Sequence, residues 1–181
     1  MKEIEIKAKL RNKEAIMAKL TSLGCTFEKP VTQDDTVYAK NVASLKEFKS
    51  NDVFLRLRIK DSSKILFTIK KRMSNDLDAI EHETEVGSRE QMEAAILMMG
   101  YKEAVRVRKS RVTTKYDGCE ICIDEVENLG SFMEMEKLTT EGDSEKIQDE
   151  LFAFFVQLGI MPEDRVTSGY DVLTYQKNER A

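Results

Sequence analysis

Charged side chains recur at every second position in parts of this chain, and they are sorted by sign. Glu3 and Glu5 precede Lys7 and Lys9 in EIEIKAK. Glu-x-Glu returns at Glu83/Glu85 and Glu134/Glu136, while basic pairs stand at Arg56/Arg58 and Lys109/Arg111. A spacing of two puts both members of a pair on one face of a strand. Paired carboxylates on one face suit a hard divalent cation, Mg²⁺ or Mn²⁺. Paired guanidinium or ammonium groups suit the oxygens of a polyphosphate. Together they describe a site for a metal-bound triphosphate. The chain has no GxxxxGK loop, so this is not a P-loop site.

Other reactive residues point elsewhere. Cys119 and Cys122 have CxxC spacing but lie in a strand-like run, YDGCEICIDEV. Three residues apart on a strand, they face opposite ways, which argues against a zinc or redox pair. Cys25 follows a helix end and reads as core. His82 is the only histidine and reads as a surface or packing residue. No nucleophile constellation stands out.

The elements that must position these charges follow from periodicity. Besides the first strand, FLRLRI, KILFTIKK, IEHETEV, VRVRKSRVTTKY, EICIDEV and SFMEMEK alternate with period two, and VYA after Asp35 makes an eighth. Asp61-Ser62-Ser63, Asp117-Gly118 and Asn128-Leu129-Gly130 are hairpin signals, so the sheet is expected to be antiparallel. Collected by strand, the same-face charges are Glu3, Glu5, Lys7 and Lys9; Arg56, Arg58 and Lys60; Lys70 and Arg72; Glu81, Glu83 and Glu85; Lys109 and Arg111; Asp124; and Glu134 and Glu136.

Three helices are predicted. The first covers Asn12 to Leu23, with Ile16, Leu20 and Leu23 as its stripe. The second covers Ser88 to Met99, opened by the Ser88-x-x-Gln91 capping box, with Met92, Ile96 and Met99 read as core. The third covers Ser144 to Leu158, burying Ile147, Leu151, Phe154, Phe155 and Leu158. These stripes need the apolar faces of the strands to pack on. An antiparallel sheet of about eight strands tends to curl and close. The predicted fold is therefore α+β: an eight-stranded antiparallel β-barrel with helices packed outside and charged faces lining the lumen. A weak repeat is visible. Aligning Gly24 with Gly100 places Glu5 on Glu81 and Leu20 on Ile96.

The 181 residues read as one domain over 1–175 with a loose tail, QKNERA, at 176–181. Hydrophobic residues make up 41%, enough for a core, and charged residues 34%, high for one compact domain. The net charge of −4 lacks the basic excess of a general nucleic-acid binder. No apolar run approaches the ~20 residues of a membrane span, and no leader-like segment opens the chain. A cytoplasmic protein without nucleic-acid or membrane partners is expected; a homodimer is left open.

With these residues in place, the chain resembles the CYTH family, the triphosphate tunnel metalloenzymes. Glu3-Ile-Glu5-Ile-Lys7 matches the ExExK signature. Gln33, Asp35 and Tyr38 look like the second-strand segment, FLRLRI like the basic R-x-R strand, and Lys70 like its following lysine. RKSRVTTKY is similar to the K-x-R strand. CIDEVENLGSFMEMEK matches the D-E-V-x-x-L-G-x-F-x-E-x-E block, and SGYDVL the closing segment. The resemblance implies a tunnel barrel using Mg²⁺ or Mn²⁺. It implies metal binding by Glu3, Glu5, Asp124, Glu134 and Glu136, and triphosphate binding by Lys7, Arg56, Arg58, Lys70, Lys109 and Arg111. Arg106 and Arg108 compete with Lys109 and Arg111 for the inward parity; the motif favours the latter pair. The catalytic assignment falls on Glu5, Lys7, Glu83 and Glu85. The activity expected is metal-dependent hydrolysis of inorganic tripolyphosphate, thiamine triphosphate or a nucleoside triphosphate. The alternatives are a class IV adenylyl cyclase and, further off, a non-catalytic polyphosphate or nucleotide sensor.

Overall fold

The computed structural model describes residues 2–45 and 49–180. In chain order its elements are β1 (Lys2–Lys9), α1 (Lys13–Ser22), β2 (Val31–Ala39), β3 (Val53–Lys60), β4 (Lys64–Arg72), β5 (Asp78–Glu85), α2 (Arg89–Met98), β6 (Lys102–Tyr116), β7 (Cys119–Val126), β8 (Gly130–Thr139), α3 (Ser144–Gln157), β9 (Arg165–Val166) and α4 (Tyr170–Glu179). The sheet runs β5-β4-β3-β2-β6-β7-β8-β1-β9. Residues 1–31 and 110–167 form one compact unit, and residues 32–109 and 168–181 form another. The long strand β6 contributes a part to each.

In the first unit, antiparallel pairing sets Ile6 opposite Met135 and Met135 opposite Ile121. These residues, with Ala8, Ile123 and Met133, pack against Ile16 and Leu20 of α1 and Leu151, Phe152 and Phe155 of α3. A fully buried side chain of this kind contributes about 1.5–3 kcal/mol. The same ladder necessarily aligns the other parity: Glu5 with Glu136, and Lys7 with Glu134. One face therefore carries the apolar packing and the other carries charge. Buried Gln148 of α3 ties helix to strand, its Nε2 donating to the Glu5 carbonyl at 2.9 Å.

The second unit is a meander of β2, β3, β4 and β5. Tyr38, Leu55 and Leu57 pack on Ile96 of α2, and Tyr38 Oη donates to Glu93 at 2.6 Å. A separate cluster joins Val37, Phe54 and Val105 to Val172 of α4. On the charged parity, Asp35 faces Arg58, Arg56 faces Thr68, and Lys70 faces Glu81.

The weak repeat has a structural counterpart. β1–α1 and β5–α2 are each a strand followed by a helix, and both helices end in one capping geometry. The N–H of Cys25 reaches the Leu20 carbonyl at 3.0 Å, and that of Tyr101 reaches Ile96 at 3.3 Å. The intervening Gly24 and Gly100 have φ of +88° and +85°, the left-handed cap that glycine adopts most easily.

Several expectations need correction. The α2 stripe is narrower than predicted: Ile96 is buried, Met92 is half-buried, and Met99 is 54% exposed. In α3, Ile147 and Phe154 are half-buried, while Phe152 and Gln148 are buried instead. The tail expected to be loose from Gln176 is helical through Glu179. α4 shows little sequence periodicity because it buries only Tyr170 and Val172. β9 has two residues, too few to give an alternating pattern.

Candidate active site

Three strands of the first unit build an acidic set. Lys7, 2% exposed, lies with its Nζ 2.8 Å from Glu5 and 3.1 Å from Glu134. Burial opposes the Lys7 charge, but Glu5 and Glu134 together outweigh it and hold the pKa above that of an ordinary lysine. Arg111 grips Asp124 with two parallel hydrogen bonds, Nε–Oδ1 at 2.7 Å and Nη2–Oδ2 at 2.5 Å. Its Nη2 also bonds Glu134, and its Nη1 lies 3.9 Å from Glu136. Asp124 is fully buried and Glu134 is 3% exposed.

Five carboxyl groups (Glu3, Glu5, Asp124, Glu134 and Glu136) thus gather around Lys7 and Arg111. The imbalance shows at Glu136. Burial, then the neighbouring Glu3 carboxylate, push its pKa well above the usual carboxylate range, although Arg111 pulls the other way. Like carboxylates crowded out of water oppose one another's ionisation. A divalent cation would supply counter-charge there, and the carboxylate oxygens suit a hard one.

The second unit gathers the basic residues with fewer carboxylates. Arg58 holds Asp35 through bonds of 2.7 Å from both Nε and Nη2. Burial opposes ionisation of Asp35, but Arg58 overrides it and brings the pKa down to about 2. Arg56 Nη2 lies 3.2 Å from Thr68 Oγ1 and 3.4 Å from Glu83, and Thr68 donates to Glu83 at 2.9 Å. Lys70 pairs with Glu81 at 2.7 Å. Glu81 is also brought down to about 2, its burial outweighed by Lys70 and Arg56. Lys109, 8% exposed, sits 4.8 Å from the Tyr170 ring centre, and Arg72 sits 4.3 Å from that of Phe54.

The structure therefore groups Glu3, Glu5, Lys7, Arg111, Asp124, Glu134 and Glu136 in the first unit. It groups Arg56, Arg58, Lys70 and Glu83 in the second, with Lys109 on Tyr170. On β6, Lys109 and Arg111 have the buried parity; Arg106 and Arg108 point outward, paired with Glu103 and Asp34. Glu85 is not brought in. It is 63% exposed at the end of β5, beside Lys64, because the alternation carries it beyond the buried stretch. Glu81, four residues earlier, is the more buried carboxylate there, 18% exposed against 63% for Glu85, a difference that parity does not record. Cys122 was also missed. It is buried on the carboxylate face opposite Glu134, whereas Cys119 joins the apolar core. Burial raises the pKa of both thiols.

The CYTH domain model matches residues 1–170, and the chain belongs to that family. It is 30% identical over 173 residues to "Putative adenylate cyclase MJ0240" of Methanocaldococcus jannaschii, covering 94% of this chain and 97% of that protein. It is similar in structure to the PH1012 protein of Pyrococcus horikoshii OT3, at 26% identity and a TM-score of 0.77, over 93% of this chain and 97% of that one. HpAC1 of Hippeastrum, described as having a dominant triphosphatase activity, shares the fold at 19% identity and a TM-score of 0.60, over 98% and 95% of the two chains. Eight strands make the closed antiparallel barrel with four helices outside, and the two-residue β9 is added on β1.

Proposed function

We propose that this protein is a divalent-metal-dependent hydrolase of a triphosphate: inorganic tripolyphosphate, thiamine triphosphate or a nucleoside triphosphate. The observation that carries this reading is the crowding of Glu3, Glu5, Asp124, Glu134 and Glu136 on one strand face, with Asp124 and Glu134 buried. Glu3, Glu5, Asp124, Glu134 and Glu136 would hold Mg²⁺ or Mn²⁺. Once bound, the cation supplies charge that polarises phosphate oxygens. Lys7, Arg56, Arg58, Lys70, Lys109 and Arg111 bind the remaining phosphate oxygens and stabilise the charge that shifts along the chain as it breaks. Glu5, with Glu83 as the second candidate, orients the attacking water and takes its proton. A new O–P bond forms at the terminal phosphorus while the bridging P–O bond breaks. Glu85, exposed at its strand end, takes no part.

Class IV adenylyl cyclase is the second reading, favoured by the name of the M. jannaschii relative. Cyclisation needs the ribose 3′-OH at the α-phosphorus and a nucleoside held in register. The rings of Phe54 and Tyr170 lie against Arg72 and Lys109. Hydrolysis needs only the phosphate oxygens held, and the paired basic side chains suit those oxygens. Product analysis with tripolyphosphate, thiamine triphosphate and ATP, with Mg²⁺ or Mn²⁺, separates the readings. Orthophosphate release is expected; cyclic AMP with pyrophosphate from ATP would replace the hydrolase with the cyclase. Tight binding without product would leave a sensor.

A further inference from the structure

We propose that Cys122 adds a sulfur ligand to the acidic metal set, so that a thiophilic divalent cation such as Zn²⁺ or Cd²⁺ binds on Cys122, Glu134 and Glu136 and displaces the harder working cation. The inference rests on the reading of this face as a metal site.

Pairing of β7 with β8 places Cys122 directly opposite Glu134. Its Sγ and one oxygen from each of Glu134 and Glu136 all lie within 4.8 Å of one another. Zinc binds sulfur at about 2.3 Å and carboxylate oxygen at about 2.0–2.2 Å. Ligand atoms that close need only a small inward movement to share one ion. The sulfur has weak neighbours, Thr113 Oγ1 at 3.9 Å and Glu120 Oε1 at 3.8 Å, which a metal–sulfur bond easily outcompetes. Cys122 is fully buried, so its sulfur is held among these groups and away from bulk water.

Sulfur changes the order of preference. Carboxylates alone suit Mg²⁺ and Mn²⁺, whereas a thiolate selects softer ions. On binding, the S–H bond breaks, the sulfur pair forms the metal bond, and the proton leaves to solvent. Zinc therefore acts on this protein as a competitor of the working metal, through a residue that serves neither phosphate binding nor proton transfer.

The test uses the full-length protein. Cadmium is titrated while the ultraviolet sulfur-to-cadmium charge-transfer band is followed, and Mn²⁺ binding is measured separately by the loss of its free-ion paramagnetic signal. Wild type should show the cadmium band, and Cys122→Ser should lose it. Cadmium affinity should fall at least about tenfold, the low end of what losing even an outer partner costs a metal site. Cys119→Ser should keep the band, and Mn²⁺ affinity should stay within about threefold in every variant. Cys122→Ala, checked for folding by circular dichroism, guards against an effect peculiar to serine. A band that survives in both Cys122 variants, or no band in wild type, overturns the proposal even if Mn²⁺ binds. A Cys122-dependent band without Mn²⁺ binding supports the sulfur ligand and overturns the Mg²⁺/Mn²⁺ reading of the proposed function.

Discussion

Replacing Arg111 with methionine should destabilise the metal-free protein by about 3–5 kcal/mol, the range for removing one partner of a buried ion pair. The guanidinium is bonded to Asp124 at 2.7 and 2.5 Å and also to Glu134, and Asp124 is fully buried. At an effective dielectric of ~20, one such contact amounts to about 4 kcal/mol. Lys7 still pairs with Glu134 at 3.1 Å after the change, so much of the loss falls on Asp124. Adding Asp124→Asn should therefore recover about 1–3 kcal/mol, the size of coupling expected between direct partners. Urea unfolding followed by circular dichroism measures both quantities, with an unchanged m-value showing that the denatured state is the same. A cost below about 1 kcal/mol is what an exposed ion pair gives. That result would mean water reaches these carboxylates, and the crowding that calls for a cation would not exist.

Three further outcomes follow from named groups. Asp35 is held at about 2 by Arg58 against an ordinary value of about 3.9. Its pairing is worth about 2 kcal/mol above pH ~4 and is lost as pH falls toward 2, so the stability gap between wild type and Asp35→Asn should narrow over that interval. Glu136→Gln should raise the melting temperature of chelator-treated protein by about 2–4 °C per kcal/mol gained. Because its folded pKa is raised, the gain should grow as pH rises above the ordinary carboxylate value of ~4.3, and calorimetry with and without Mn²⁺ should show the metal's stabilisation lost. Gly100→Ala should cost about 1–2 kcal/mol, since a side chain is forced to φ of +85°; chemical denaturation reads it directly.

The strands and most of the charged face were legible because a buried sheet leaves two independent signals in one period of two. Ile4 and Ile6 face the core while Glu3, Glu5 and Lys7 face the site, and each half of the pattern confirms the other. What the alternation does not record is depth along a strand. Glu81 and Glu85 share a parity, yet one is buried against Lys70 and the other is exposed beside Lys64. Helix α4 escaped because Tyr170 and Val172 make too short a stripe to register. Its Tyr170 nonetheless carries Lys109. The parity that separates Cys122 from Cys119 was legible, but the neighbours of Cys122, Glu134 and Glu136, come from the adjacent strand and leave no mark in its own segment.

The central claim is that the carboxylates of β1 and β8 hold the metal that hydrolysis needs. It is tested most directly by comparing wild type with Glu5→Gln for orthophosphate release from tripolyphosphate in Mn²⁺, with the fold of each checked by circular dichroism. The account predicts metal-dependent release by wild type, and its loss in a Glu5→Gln protein that is still folded. Undiminished release by Glu5→Gln, or release by wild type that survives a chelator, would contradict it.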